Sequence, residues 1–225
     1  MATEPRVKFH YNNMMYAVAG YLVEKLSGVT LSAFFHEYLW EPMHLNETFV
    51  GLYDSALNAT GLVVADEYYY NKLADEYVRV DHPDVSPDEG AGAVVSNVLD
   101  YAKYLRVMMD EGAPLSKAGH RELRTSRSFY QPSGPPFVGP MTYTLGWMSG
   151  IFQGEQIWLH SGQVNMFMTW MLMVPSRGFG ITVMTNTASK AMTLVLYRIL
   201  CDLFDVEEND RFDFAAQYGR SPKAE

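Results

Sequence analysis

The sequence has few of the features that mark disulfide-rich, membrane-spanning or nucleic-acid-binding proteins. Its single cysteine, Cys201, excludes an internal disulfide and argues against a cysteine-based zinc site. No stretch of about 18 apolar residues is present, and the first ten residues hold no apolar signal-peptide core. Lysine and arginine total 17 against 26 acidic residues, giving a formal net charge of −9 with no basic run. We therefore expect no membrane span, no nucleic-acid partner and a cytoplasmic location.

What is present fits a globular protein with a substantial core. The 225 residues are 48% hydrophobic and 19% charged, with 15 tyrosines and 12 phenylalanines that predict a heavily packed core or a cleft. Cys201 lies in an apolar helical stretch, which predicts a buried structural thiol. We expect residues 1–207 to form one domain and the polar residues 208–225 to form a C-terminal tail.

Helical spacing of apolar residues predicts four helices. They are expected over residues 12–28 with Gly28 as a left-handed C-cap, over 31–40 between a Thr30 cap and Pro42, from a Ser96 cap to Gly112, and over 189–204.

The last third changes to the alternation of β-strands. Strands are predicted at residues 141–148, 156–160, 167–174 and 179–185. Residues 43–90 and 113–140 are rich in turn formers and predict loops, the first with room for a short hairpin. No partner is evident for the Tyr68 to Tyr70 cluster or for His82. Helices segregated from an antiparallel meander favour an α+β fold.

Three local patterns follow one another along the chain. The first is Phe9-His10-Tyr11-Asn12-Asn13, which leads through Gly20 and Gly28 to Trp40-Glu41-Pro42. The second is Gly90-Ala91-Gly92-Ala93-Val94-Val95-Ser96, and the third consists of Leu145-Gly146-Trp147, His160-Ser161-Gly162 and Thr185-Asn186. Taken alone, Tyr11 could be a helix-entry aromatic, Asn13 a helix cap and His160 an ordinary histidine at a strand end.

As an ordered set over residues 9 to about 205, these patterns resemble the serine β-lactamase and penicillin-binding-protein superfamily. The nearest branch holds class C β-lactamases, D-amino-acid peptidases and esterases. The resemblance implies a β-lactamase/transpeptidase-like α+β fold, in which an antiparallel sheet is flanked by helices and joined to a helical subdomain. The family chemistry needs no metal and no organic cofactor.

The resemblance also implies roles for individual residues. Tyr11 would help move a proton, and Asn13 would bind the carbonyl or amide of the substrate. The His160-Ser161-Gly162 motif would lie on an edge strand beside the cleft, where His160 supports the proton network or the substrate. Gly162 would let the substrate approach the backbone, and the Gln163 N–H would form half of an oxyanion hole.

The chain departs from the family pattern at the nucleophile. No serine is followed by lysine three positions later, and no Gly-x-Ser-x-Gly motif occurs. Only ten residues precede Tyr11, so we expect the N-terminal strands and the nucleophile helix to be missing. The sheet should then have an uncovered edge that favours self-association. Met166 stands where relatives usually have glycine, and its side chain could narrow the cleft.

Two functions from different classes remain open at this point. The first is a serine hydrolase or acyltransferase, more esterase or peptidase than true β-lactamase, that acts on a small-molecule ester or amide through an acyl-enzyme. The second is a non-catalytic remnant or pseudoenzyme that keeps a ligand cleft or a partner surface.

Overall fold

A computed structural model describes residue 4 and residues 7–52, 54–132 and 134–217. Its helices are α1 (Asn13–Ser27), α2 (Leu31–Phe35), α3 (Glu41–Met43), α4 (Ser55–Thr60), α5 (Glu89–Gly92), α6 (Val98–Asp110), α7 (Lys117–Arg124), α8 (Ala191–Leu203) and α9 (Phe214–Gln217). Its strands are β1 (Phe49–Val50), β2 (Glu67–Asn71), β3 (Glu76–Val80), β4 (Val94–Val95), β5 (Ser128–Gln131), β6 (Val138–Tyr143), β7 (Met148–Phe152), β8 (Glu155–Val164), β9 (Phe167–Val174) and β10 (Phe179–Thr185).

Six strands form one antiparallel sheet in the order β10-β9-β8-β7-β6-β5. The predicted strands 167–174 and 179–185 are confirmed at both ends as β9 and β10, and the prediction 156–160 falls inside the longer β8. The predicted strand 141–148 is wrong, because the chain turns between β6 and β7. Gly146 has a positive φ of 83° in this turn, a conformation that glycine adopts without steric cost.

The prediction that residues 113–140 form a loop is also wrong. This segment contains α7, β5 and the beginning of β6. Both new elements carry weak apolar patterns: α7 has a mostly polar sequence, and all four residues of the edge strand β5 are exposed. An element that buries little apolar surface leaves little periodicity in the sequence.

Two helix ends differ from prediction. Asn97, and not Ser96, caps α6, because the Asn97 side-chain oxygen accepts the N–H groups of Leu99 and Asp100. The helix begun at Leu31 continues past Pro42 through a π-helical turn, His36–Trp40, and α3. Pro42 follows this π-helical turn, at whose C-terminal end the Glu41 N–H donates to the His36 carbonyl.

Other predicted ends hold. Gly28 ends α1 in the left-handed conformation with φ 77°, and Thr30 caps α2 by accepting the Ala33 N–H. The closing helix is confirmed as α8.

The sheet lies between two helical layers. On one face, Leu196 and Leu200 of α8 pack with Ile157, Leu159 and Leu172, all at most 1% exposed. On the other face, α6 packs against the sheet in a cluster that consists of Leu105, Met108, Trp147 and Met173. Cys201 is buried in the first layer, as predicted for a structural thiol, and burial raises the pKa of its thiol.

The chain beyond Glu207 continues into short helical turns. Phe214 of α9 stacks on Tyr197 of α8 with ring centroids 4.2 Å apart. The division of the chain at residue 207 stays a prediction. Among the helices of the described residues, none has the length and apolar character needed to cross a membrane.

Helices α1 and α5 cross at two glycines. A Cβ atom on Gly20 would lie 3.0 Å from the Gly90 Cα, and a Cβ on Gly90 would lie 2.3 Å from the Tyr16 carbonyl oxygen. The backbones therefore touch, and this contact fixes the position of α1, whose N-terminal end carries Tyr11.

A buried carboxylate ties α6 to the segment before β1. Asp100 is 2% exposed and accepts hydrogen bonds from the Glu47 N–H at 2.7 Å, the Thr48 hydroxyl at 2.9 Å and the Lys103 ammonium at 2.8 Å. Burial alone would raise the pKa of this carboxyl, but the hydrogen bonds from Lys103, Glu47 and Thr48 outweigh it and hold the pKa below its usual value.

We expect Asp100→Asn to lower the free energy of unfolding at neutral pH by about 1.5–3 kcal/mol, the usual worth of hydrogen bonds to a charged group. A depressed folded-state pKa stabilises the fold above the unfolded-state pKa of about 3.9, and this stability disappears as pH falls through the folded-state value. The unfolding free energies of wild type and variant in urea should therefore begin to converge as pH falls below about 4, and they should meet only below the folded-state pKa of Asp100. The exposed Asp110→Asn is the control, and an equal gap at acidic and neutral pH would contradict the expectation.

Candidate active site

The first predicted site residues lie at the entrance to α1. Asn12 caps this helix by accepting the Met15 N–H at 3.3 Å, which places Tyr11 just before the helix and Asn13 at its first residue. Tyr11 is 54% exposed and Asn13 is also exposed. Both side chains are therefore accessible to a ligand.

The His-Ser-Gly motif lies on β8, an interior strand of the sheet and not the expected edge strand, but this stretch of β8 has one free edge. β8 pairs with β7 as far as Leu159, whereas its pairing with β9 continues to Val164. Within the described part of the chain, residues 160–164 have no strand partner on the β7 side. Ser161, Gly162 and Gln163 thus lie where an extended ligand could reach their backbone groups.

His160 has both ring nitrogens in hydrogen bonds. Its Nδ1 lies 2.6 Å from the Ser161 carbonyl oxygen, and its Nε2 lies 2.9 Å from the Tyr143 hydroxyl. A carbonyl can only accept, so Nδ1 carries the hydrogen, and in the neutral ring Nε2 accepts the Tyr143 O–H. Burial lowers the pKa of His160, which favours this neutral form.

Tyr11 and His160 come together at this end of the sheet. The two rings lie 6.1 Å apart between centroids, and the Tyr11 ring lies 6.2 Å from that of Tyr143. Burial together with neighbouring Tyr16 and Tyr130 raises the pKa of Tyr11, so its phenol is protonated at neutral pH. The catalytic and binding roles of the predicted site residues stay predictions.

Packing between β8 and β9 also requires a glycine at position 162. A Cβ atom at this position would lie 2.6 Å from the Thr169 hydroxyl oxygen on the neighbouring strand β9. The β-branched Thr169 side chain has few rotamers to give way. Glycine here therefore permits the local packing of β8 on β9, besides leaving the edge open.

The expectation that His82 has no partner is wrong. Glu67 of β2 is 0% exposed, and its carboxylate lies 3.2 Å from the His82 Nδ1 and accepts the Met166 N–H at 2.9 Å. The His82 ring stacks on Phe167, with centroids 5.7 Å apart and planes 15° apart. A clamp of Glu67, His82 and Phe167 thus holds the turn that joins β8 to β9.

The hairpin that leads into this clamp projects from the fold. β2 and β3 pair in register from Glu67 to Asn71, and Tyr70 packs on Tyr77 with ring centroids 5.2 Å apart. Leu73 at the tip is fully exposed. The Tyr68 N–H also bonds the Asn186 carbonyl at 2.9 Å, which fastens β2 to the end of β10.

Sequence reasoning missed Tyr143 as a neighbour of His160. Tyr143 is 7% exposed, at the end of β6, and one of 15 tyrosines. Only the pairing of β6, β7 and β8 brings it to His160, and no spacing in the sequence signals that contact.

Two further features bear on ligands. Among the described residues, no group of three or more His, Cys, Asp or Glu side chains is placed to hold a metal ion. A cavity of about 840 Å³ beside α2 has an acidic lining that includes none of the predicted site residues.

Comparison with known proteins gives a consistent family. The β-lactamase family model matches residues 1–200. The chain is 34% identical over 221 residues to the unguisins hydrolase of Aspergillus campestris. This alignment covers 95% of this chain and 40% of that protein. The corresponding hydrolase of Aspergillus violaceofuscus is 30% identical, with 96% and 41% covered. The chain thus spans about two fifths of these relatives.

Solved structures share the fold. The octameric penicillin-binding protein homologue from Pyrococcus abyssi superposes with a TM-score of 0.80 at 24% identity, over 96% of this chain and 47% of that one. The D-amino acid amidase from Ochrobactrum anthropi does so with a TM-score of 0.70 at 18% identity, over 91% and 61%. The architecture is therefore the predicted β-lactamase/transpeptidase-like α+β fold, and the chain belongs to the β-lactamase family.

Proposed function

We propose that this chain carries part of the active site of a serine hydrolase or acyltransferase that acts on a small-molecule ester or amide through an acyl-enzyme. One observation carries the proposal: Tyr11 and a neutral His160 lie together beside the free edge of β8. Besides a nucleophile, acyl transfer needs groups that move a proton and backbone donors that bind the developing oxyanion. A protonated phenol, a neutral imidazole and an open backbone edge can supply them.

Each predicted residue has a chemical task in this proposal. The Tyr11 hydroxyl passes a proton between the nucleophile and the leaving group, and the Asn13 amide binds the acyl carbonyl or the adjacent amide. Ser161 and Gly162 border the bound substrate. The Gln163 N–H donates to the developing oxyanion, where a preorganised donor contributes about 3–4 kcal/mol.

The nucleophile is assigned to a segment outside these 225 residues, since none of their serines begins a Ser-x-x-Lys motif. The two Aspergillus relatives, which are longer than this chain, are named unguisins hydrolases, and one structural neighbour is a D-amino acid amidase. These names favour an amide or ester substrate over a β-lactam. We also keep a cytoplasmic location as a proposal.

The test compares this chain with any longer product that the upstream DNA encodes in frame. A product with Ser-x-x-Lys should react with a fluorophosphonate probe and hydrolyse a p-nitrophenyl ester, and replacing that serine by alanine should abolish both. A Ser-x-x-Lys product that is silent in both assays would refute the proposal.

A non-catalytic protein is the second candidate, and the absence of Ser-x-x-Lys from the sequence favours it. In that case the cleft beside β8 would bind a ligand or a partner without turnover. An upstream reading frame without Ser-x-x-Lys, together with an unlabelled chain, would support this candidate.

Self-association is a further proposal about the isolated chain. β10 pairs with β9 only, so its other edge has no strand along it among the described residues. Free backbone groups at such an edge can pair with a second copy. Light scattering should then show a mass that rises with concentration, whereas a concentration-independent monomer would count against this pairing.

A further inference from the structure

We infer that Tyr143 is a positioning residue, whose hydroxyl holds His160 in one tautomer and one orientation at the cleft. The inference rests on the proposed function for its catalytic meaning, but the hydrogen bonds that carry it are independent of turnover. It assigns a task to a tyrosine outside the Tyr11 and His160 motifs.

The two hydrogen bonds of the His160 ring run in opposite directions. The Ser161 carbonyl must accept from His160 Nδ1, at 2.6 Å. His160 Nε2 then has a lone pair, and the Tyr143 hydroxyl at 2.9 Å donates to it. A histidine whose two nitrogens have unlike partners is fixed in tautomer and in ring orientation.

Neighbouring aromatic rings hold Tyr143 in place. Its side chain is 7% exposed and contacts the rings of Phe9 at 4.8 Å and Tyr130 at 6.2 Å between centroids. The Tyr16 side chain is a further neighbour that contributes to the raised pKa of Tyr143. The chain of bonds therefore runs from Tyr143 through His160 to the Ser161 carbonyl.

Tyr143 and Tyr11 differ in burial and therefore in what they can do at the site. Tyr143 is buried, and burial is the main cause that raises its pKa far above the ordinary tyrosine value, so it remains a donor. Tyr11, in contrast, is half exposed and contacts His160 through its ring. The buried tyrosine thus sets the state of His160, and the exposed tyrosine is left to face the substrate.

The test is nitrogen NMR of the chain labelled with ¹⁵N-histidine, with the His160 signals assigned by their loss in His160→Gln. In wild type above the titration range of histidine, Nδ1 should be protonated and Nε2 unprotonated and hydrogen-bonded. In Tyr143→Phe the Nε2 signal should move towards that of an unbonded nitrogen, and the share of the Nε2–H tautomer should rise. Unchanged His160 signals in Tyr143→Phe would overturn the inference, as would a wild-type His160 protonated on Nε2.

Two companion variants make the result specific. Tyr130→Phe removes the hydroxyl from a ring that contacts Tyr143, and it should leave the His160 signals in place. Tyr16→Phe removes the hydroxyl behind Tyr143 and should move the Nε2 signal in the same direction by a smaller amount. Tyr16→Phe decides the matter if Tyr143→Phe does not fold. Failure of the ester assay would refute the proposed function alone, because the NMR shift requires no turnover.

Discussion

Replacing Tyr11 by phenylalanine should lower the kcat of a serine-bearing form of this protein by about 10²–10⁴-fold, the usual contribution of a positioned proton-transfer group. The substitution removes one hydroxyl and leaves the ring that contacts His160 and Tyr143. Since Tyr11 is 54% exposed, the melting temperature should change little. Steady-state hydrolysis of a p-nitrophenyl ester measures the loss.

The matched control is Tyr38→Phe. Tyr38 is 50% exposed, on the π-helical turn between α2 and α3, and it belongs to no part of the predicted site. It should retain wild-type kcat and KM. If Tyr11→Phe also keeps wild-type kcat, the carried-over role of Tyr11 in proton transfer is wrong, whatever its effect on KM.

Replacing Gly90 by alanine should lower the free energy of unfolding by about 3 kcal/mol, at the upper end of the range for overpacking. The added Cβ would lie 2.3 Å from the Tyr16 carbonyl oxygen and 3.2 Å from the Gly20 Cα. Both are backbone atoms, so no side-chain rotation can relieve the clash and α1 must move away from α5. Urea unfolding measures the loss.

Gly92→Ala is the control within the same helix. A Cβ there meets only the Val164 side chain at 3.5 Å, an ordinary contact. Its free energy of unfolding should remain within about 0.5 kcal/mol of wild type, as for most substitutions that create no clash. Equal stability of Gly90→Ala and Gly92→Ala would show that α1 and α5 tolerate separation.

Where apolar residues form runs of strand length, the sequence predicted the fold well. β9 and β10 are mostly apolar and pair with each other along their length, and their ends were predicted to the residue. The ends of α1 follow from local chemistry, since Asn12 caps it and Gly28 takes the left-handed conformation that stops it. Local signals of this kind need no tertiary context.

Elements stabilised by their neighbours were missed. α7 has the sequence Lys-Ala-Gly-His-Arg-Glu-Leu-Arg, and its only buried residue is His120, whose Nε2 lies 2.8 Å from the Gly112 carbonyl. β5 is exposed throughout and is held by pairing with β6. Neither segment has the apolar period on which a prediction from one sequence depends.

The predicted site shows the same limit. The motifs placed Tyr11 and His160 in one cleft, and the structure brings them together. The partners of that cleft could not be predicted, because they come from distant parts of the chain. Tyr143 reaches His160 across 17 residues, and Glu67 reaches Met166 across 99. Such contacts are set by strand order, which no local pattern encodes.

The clamp of Glu67, His82 and Phe167 holds the base of the β2–β3 hairpin and leaves its tip exposed to solvent. Both ends of the hairpin are fastened, at Glu67 and at His82, while Leu73 at its tip is surrounded by solvent. Loop tips tolerate insertion where the backbone at their base remains fixed. The tip is therefore a natural attachment point for a reporter peptide or an immobilisation tag, which would extend into solvent without pulling on the turn that borders the cleft.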